Sequence, residues 1–145
     1  MLILFSFLII LNLQITKELR DKNPAFFKNQ RIFHSAPKPL FKNRNHTLDF
    51  VTDLPSDSIA SAKLYFKTDS MSYFREFELK GIFGKYQFVF EHEVYTGSHL
   101  QYYFIIETKD GIHGTPVNER GWIIPTNNLL IDPKEYFKQK KRLNR

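Results

Sequence analysis

Apolar and polar side chains alternate along most of the chain between His46 and Ile131, and this alternation limits the fold more than any other feature. A period of two places every second side chain on one face of an extended strand, whereas a helix needs a period of about 3.6. The alternating runs are short, and turn-forming residues separate them. The runs begin at Leu48, Ala62, Tyr73, Tyr86 and Leu100. The third run has an imperfect pattern, and the fourth is expected to extend to Val94. The pattern predicts six or seven strands and almost no helix, which is typical of an antiparallel sandwich or small barrel.

The richest run, from Leu100 to Ile106, predicts the position of one strand within its sheet. Its even-numbered residues are all apolar, and Tyr103 and Ile105 make the opposite face apolar as well. A strand that is apolar on both faces is expected at the centre of a sheet.

Three local signals mark the connections in the second half of the chain. Thr96-Gly97-Ser98 predicts a hairpin turn, and Asp110-Gly111 predicts a turn. Trp122 to Ile124 predict a last short strand that ends at Pro125, and a further extended piece follows at Leu129 to Ile131.

The first 16 residues carry no charged side chain, and Leu2–Leu11 is apolar apart from Ser6. A bilayer-spanning helix needs about 20 apolar residues, so this run is short, but its length suits the apolar core of a signal peptide. Residues 1–16 are therefore predicted to be a signal peptide or short membrane anchor. Two alternatives stay open: a buried strand or helix of the domain, or a true start that lies upstream.

The rest of the chain divides by composition into three parts. Residues 17–45 hold eight bases, two acids and three prolines, and are predicted as a basic linker that docks in part as an edge strand near Arg31–His34. Residues 46–131 form the predicted β-sandwich domain. Residues 132–145 form a basic tail with a helix over Pro133–Leu143, because Asp132 suits the N-cap and proline suits the first helical position. This helix is expected to dock through Tyr136, Phe137 and Leu143, or to be the first turns of a longer one.

Charge and composition exclude several classes of function. The net charge is +6, yet residues 46–131 carry seven bases and eleven acids, so the bases are concentrated in the flanks. A nucleic-acid-binding domain usually carries its bases on the folded face, so no nucleic-acid partner is expected. The chain has no cysteine, which excludes a disulfide scaffold, a Cys-ligated metal and a cysteine nucleophile.

The strings SAKLYFKTD, YFREFELK, GKYQFVFEHEV and GSHLQYYFIIETKDGIHGTP carry a resemblance to a known family. Over about residues 46–131 they resemble the immunoglobulin-like, fibronectin type III-like modules of bacterial secreted and envelope proteins. The matching positions are Gly97, Leu100, Tyr102, Tyr103, Asp110, Gly111 and Pro116. The resemblance implies an all-β fold: an antiparallel immunoglobulin-like β-sandwich, here with an N-terminal hydrophobic segment and a short C-terminal helix. It also implies a non-catalytic spacer or adhesive role.

Clusters that could carry chemistry are sparse. Glu91-His92-Glu93 resembles a metal-ligand set, but on a strand His92 would point away from both carboxylates, so no metal is predicted. The oxygen-rich stretch from Asp53 to Ser58 is expected to cap turns rather than bind calcium. No nucleotide-binding loop or nucleophile motif is present, so neither a cofactor nor an enzyme activity is expected.

Five apolar or aromatic residues are the predicted binding residues. Val51, Tyr65, Tyr103 and Ile105 alternate with the predicted core, and Trp122 is the single tryptophan. Exposed apolar patches mark contact sites, although the linker or the tail could instead cover these side chains.

These features predict a non-catalytic interaction or spacer module of the secreted space or cell envelope, either periplasmic or on the outer surface. Its expected partner is another protein or the domains of a host protein, and Leu2–Leu11 would tether it to a membrane. The alternative is a carbohydrate-binding module that uses tyrosine or tryptophan platforms for a glycan. A small hydrolase built on Asp110, His113, Glu91 and Glu93 is the third and weakest hypothesis.

Overall fold

A computed structural model describes residues 31–144, and extended strands dominate them. The predicted signal peptide or anchor (residues 1–16) and the first part of the linker lie outside the described residues. In chain order the strands are β1 (Ile32–Phe33), β2 (Leu40–Phe41), β3 (His46–Thr52), β4 (Ile59–Thr68), β5 (Arg75–Glu78), β6 (Gly81–Ile82), β7 (Lys85–Phe90), β8 (His99–Thr108), β9 (Gly111–Thr115) and β10 (Thr126–Ile131). A helix, α1 (Pro133–Leu143), follows, and a 3-10 turn at Ser56–Ser58 precedes β4.

The strands form two sheets. Sheet 1 has the order β1-β3-β7-β6, and all of its pairs are antiparallel. Sheet 2 has the order β2-β10-β8-β4-β5, with β9 also paired to β8. Strand β8 pairs with β4 along one edge and with β10 and then β9 along the other. The prediction that Leu100–Ile106 lies in a central strand is confirmed.

The two sheets pack face to face around a core of aromatic and aliphatic side chains. Phe50 of sheet 1 lies 4.9 Å from Phe104 of sheet 2, measured between ring centroids, and Phe66 lies 5.5 Å from Phe88 in the same way. The alternating residues of the long strands supply most of this core: Leu48, Phe50, Ala62, Leu64, Phe66, Tyr86, Phe90, Leu100, Tyr102, Phe104 and Ile106. The all-β, sandwich-like class predicted from the alternation is therefore confirmed.

The edge strand predicted near Arg31–His34 is present as β1, and the residue after it joins the two sheets. The His34 ring contacts the Asp49 carbonyl oxygen in sheet 1 and the Tyr102 hydroxyl in sheet 2, the latter at 2.8 Å. The same ring packs edge-on to Phe104, with centroids 5.0 Å apart. Burial lowers the pKa of His34 below its ordinary value of 6.5, because the charged imidazolium would lose its hydration.

The prediction of a purely antiparallel architecture is wrong at one edge. Strands β2 and β10 pair in parallel, with Leu130 opposite Leu40 and Ile131 opposite Phe41. A parallel pair needs a long connection between its strands, and here most of the domain separates β2 from β10. The alternating pattern does not encode strand direction, so it could not distinguish the two arrangements.

The hairpin predicted at Thr96-Gly97-Ser98 is also wrong, because this segment crosses between sheets. Strand β7 belongs to sheet 1 and β8 to sheet 2. The backbone leaves the strand after Phe90 and turns, with the Tyr95 N–H donating to the Glu91 carbonyl oxygen at 2.9 Å. Val94, predicted to continue the strand, is exposed in this turn.

The turn predicted at Asp110-Gly111 is confirmed, and it joins β8 and β9 into a hairpin with Thr108 opposite Gly111. The short strand predicted at Trp122–Ile124 is reduced to a single bridge between Val117 and Ile123. Two prolines flank this segment at positions 116 and 125, and proline cannot donate to a strand ladder.

The predicted helix is confirmed with the same bounds. The Asp132 carboxylate accepts a hydrogen bond from the Lys134 N–H at 2.8 Å, as expected for an N-cap. Tyr136 and Phe137 pack on the Phe41 ring, but Leu143, expected to dock with them, is exposed. Across residues 31–144, no helix combines the length and the apolar character that a bilayer crossing requires.

Candidate functional site

The outer face of sheet 2 is built on its two longest strands, β4 and β8. They pair antiparallel, with Tyr65 directly opposite Tyr103 and Lys67 opposite Gln101. The residues on either side of each tyrosine are buried between the sheets, so the pleat directs both tyrosines outward. The alternation that forms the core therefore also forms this face.

Three aromatic rings form the aromatic surface, which we define as Tyr65, Phe74 and Tyr103. The two tyrosine rings stack with centroids 4.9 Å apart and planes 6° from parallel. Phe74 presents its edge to Tyr103 at a centroid distance of 5.2 Å. All three side chains are partly exposed.

Charged side chains frame the aromatic surface and hold its orientation. The Tyr65 hydroxyl donates to Glu76 Oε2 at 2.6 Å, and Lys63 Nζ lies 3.1 Å from Glu76 Oε1. The same lysine lies 3.7 Å from Glu107 Oε1. On the other side, Lys67 Nζ lies 5.1 Å from the centre of the Phe74 ring, within cation–π range.

The ionisation of these groups fits a contact surface better than acid–base chemistry. Partial burial raises the pKa of Tyr65 far above its ordinary value, and the hydrogen bond to Glu76 adds to that effect. Burial also raises the pKa of Tyr103. Because the Tyr65 hydroxyl hydrogen-bonds to Glu76, the pKa of this carboxyl falls. Both phenols therefore stay protonated and the carboxylate stays charged at neutral pH, so the surface keeps one charge pattern.

The structure brings together only some of the predicted binding residues. Tyr65 and Tyr103 are in contact, and Ile105 follows on the same face, opposite Lys63. Val51 lies on β3 of sheet 1, opposite Phe33, and therefore on the other side of the sandwich. Trp122 is half-exposed in the segment between β9 and β10, where its backbone N–H donates to Asn118 Oδ1. The five residues thus do not form one patch.

Two parts of this site were missed by sequence reasoning. Phe74 was assigned only to an imperfect strand, although it lies just before β5 and reaches Tyr103. The link between Glu76 and both Tyr65 and Lys63 depends on the pairing of β4 with β5. The one sequence signal for this link was that Glu76 and Glu78 occupy alternate positions of the predicted third strand.

The argument against a metal at Glu91-His92-Glu93 assumed a strand, and that assumption is wrong because the segment is a turn. In that turn the His92 N–H donates to Asn45 Oδ1 at 3.1 Å, and the imidazole Nδ1 lies 2.9 Å from the same oxygen. Over residues 31–144 no group of three or more histidine, cysteine, aspartate or glutamate side chains is arranged to hold a metal ion.

The oxygen-rich stretch from Asp53 to Ser58 has the turn role that was predicted. The Ser58 hydroxyl donates to the Pro55 carbonyl oxygen at 2.7 Å, and Asp53 Oδ1 lies 2.6 Å from Arg31 Nε. This ion pair lowers the pKa of Asp53, chiefly through the Arg31 hydrogen bond.

No family model matches the sequence, and a search of the curated proteins finds no match.

Proposed function

We propose that this protein is a non-catalytic interaction module that contacts another protein through the outer face of sheet 2. The observation that carries the proposal is the parallel stack of Tyr65 on Tyr103, partly exposed and enclosed by charged side chains. Tyrosine is enriched in protein interfaces because it contributes a large, rigid contact area at a low cost in conformational entropy. A small apolar centre with a charged rim is the usual anatomy of such an interface.

The arrangement of the rings favours a protein partner over a sugar. A sugar packs flat on an exposed aromatic face, but Tyr65 and Tyr103 turn a face toward each other, and Phe74 approaches Tyr103 edge-on. What the stack offers to a partner is mainly ring edges and hydroxyl groups, which suit side chains and backbone carbonyls.

A carbohydrate-binding module remains the second candidate because of one residue. Trp122 is half-exposed on a loop held by the Asn118 side chain, which accepts hydrogen bonds from the backbone N–H groups of Arg120 and Trp122. A glycan array run with the parent protein and with Trp122→Ala separates the two functions. A sugar signal that the substitution removes supports the second candidate, and a flat response across the array excludes it.

We further propose the immunoglobulin-like, fibronectin type III-like arrangement as the finer fold. The order β1-β3-β7-β6 in one sheet and β5-β4-β8-β9 in the other supports it, because it corresponds to the A-B-E-D and C′-C-F-G strand orders of such sandwiches. The parallel β2–β10 pair is an addition at one edge. The apolar Leu2–Leu11 stretch supports secretion or attachment to the cell envelope.

Site-specific photo-crosslinking tests the protein-contact function with two matched positions. Gln101 precedes Tyr103 by two residues on the outer face of sheet 2, whereas Gln87 is exposed on β7 of sheet 1. Each is replaced in turn by p-benzoylphenylalanine in the full chain, and the native host cells are irradiated.

A discrete adduct of higher mass from position 101, absent from position 87, supports the proposal. No adduct from position 101, or the same adduct from both positions, overturns it.

A further inference from the structure

The tip of the β6–β7 hairpin carries two large apolar side chains with no place in the core. Ile82 is 72% exposed and Phe83 is fully exposed. The hairpin pairs Ile82 with Lys85, so only Phe83 and Gly84 form its loop. Two adjacent side chains of this kind at a protruding turn form an apolar tip that water solvates poorly.

The backbone of this turn suits other residues better than phenylalanine. Phe83 has a φ of +51° and Gly84 a φ of +75°, the signs that a type I′ hairpin turn requires. Asparagine or glycine usually fills the first position, since bulky side chains are strained at positive φ. The exposed ring at position 83 therefore stabilises neither the turn nor the core.

The apolar tip lies at the end of sheet 1 where the described chain begins. The Thr52 N–H donates to the Gly84 carbonyl oxygen at 2.9 Å, and the Thr52 hydroxyl donates to the Arg31 carbonyl oxygen at 2.7 Å. Strand β3 thus holds the hairpin on one side and the start of β1 on the other. Upstream of Arg31 the sequence is basic from Lys17 to Lys28 and uncharged over residues 1–16.

Basic side chains lie close to the hairpin and to the start of β1, and two of them pair with acids of sheet 1 and the turn after β3. Lys85 Nζ lies 3.2 Å from Asp49 Oδ2, and Arg31 is paired with Asp53. Lys80 adds a further base to the hairpin. An apolar tip next to bases matches the interface of an anionic bilayer, where apolar side chains insert and phosphate groups attract lysine and arginine.

We propose that Ile82 and Phe83 insert into the surface of an anionic lipid membrane and fix the orientation of the domain on it. This inference rests on the membrane attachment in the proposed function, and it adds a second point of contact. With both the hairpin tip and the N-terminal segment on the membrane, that end of the sandwich faces the lipid. The turn that holds Ser72, between β4 and β5, then faces away.

Single-cysteine labelling tests the insertion directly, because the chain has no cysteine of its own. Ile82→Cys and, as the control at the opposite end, Ser72→Cys are each labelled with nitrobenzoxadiazole in the full chain. Both are mixed with vesicles of phosphatidylcholine and phosphatidylglycerol in equal parts, with and without bromine on the acyl chains. Sedimentation of the vesicles reports binding independently of the fluorescence.

We expect the label at position 82 to brighten severalfold, shift to the blue and be quenched by brominated chains, while the label at position 72 does none of these. Adding Phe83→Ser to the Ile82→Cys protein should reduce the quenching. If the protein sediments with the vesicles but the label at position 82 is not quenched, the insertion is overturned and the N-terminal attachment is not. Equal quenching at positions 82 and 72 has the same consequence. Failure to sediment overturns both the insertion and the tether, whereas the protein contact is tested separately by the crosslinking.

Discussion

The rings of Tyr65 and Tyr103 lie 4.9 Å apart and 6° from parallel, on neighbouring strands of sheet 2. Directly opposed aromatic residues on one sheet face stabilise the sheet as well as forming a surface. The two roles are separable, because stability is measured on the isolated protein and contact is measured with its partner.

A double-mutant cycle on Tyr65 and Tyr103 measures the stabilising role. With Tyr65→Ala, Tyr103→Ala and the double variant, we expect a coupling energy of about 0.5–1 kcal/mol from urea unfolding, typical of a stacked cross-strand pair. Tyr65→Phe is the control, since it keeps the stack and removes only the hydrogen bond to Glu76. Additive effects of the two alanine substitutions would contradict the stacked geometry.

Because His34 is partly buried between the sheets, the protein should lose stability in mild acid. Its pKa is lowered in the folded state, so below the ordinary value of 6.5 the unfolded chain binds a proton that the folded chain resists. The free energy of unfolding should therefore fall as the pH decreases from about 8 to about 5.5. His34→Gln should lose part of this fall. An identical pH dependence in the variant and the parent would contradict the burial of His34 between the sheets.

A larger residue at position 81 should clash with the Tyr86 ring at the edge of sheet 1. A Cβ at this position would lie 2.2 Å from Tyr86 Cζ, and Tyr86 is held in the core by its stack on Phe50. Gly81→Ala should therefore destabilise the protein by about 1–3 kcal/mol, the usual cost of overpacking. The same substitution in a Tyr86→Leu background should cost less, because the obstructing ring is gone. Equal costs in the two backgrounds would show that Tyr86 does not cover Gly81.

Replacing Phe83 by asparagine should increase the stability of the protein and weaken its insertion into membranes. Phe83→Asn should raise the free energy of unfolding by about 1 kcal/mol, because asparagine tolerates positive φ and no buried contact is lost. The same variant should lose insertion into anionic vesicles. Phe83→Ala serves as the control, since it removes the ring but retains most of the backbone strain. A less stable asparagine variant would contradict the turn geometry.

Local patterns predicted the strands but not how they assemble. Side-chain alternation identified Leu64, Phe66 and Phe104 as core, since burial follows strand periodicity directly. Turn residues at Thr96-Gly97-Ser98 could not reveal that the chain changes sheets there, because a turn signal says nothing about which strands pair. The same limit applies to the candidate site. The outward direction of Tyr65 and Tyr103 was predictable, whereas their contact and the separation of Val51 depend on long-range pairing.

The crosslinking yield from position 101 in a chain without the tyrosine stack tests the contact surface most directly. Tyr65→Ser and Tyr103→Ser are combined with p-benzoylphenylalanine at Gln101, and urea unfolding verifies that the variant is folded. If the aromatic surface binds the partner, the adduct should fall at least tenfold, as expected for the loss of central interface residues. An undiminished adduct from the folded variant would contradict the claim that Tyr65 and Tyr103 form the contact.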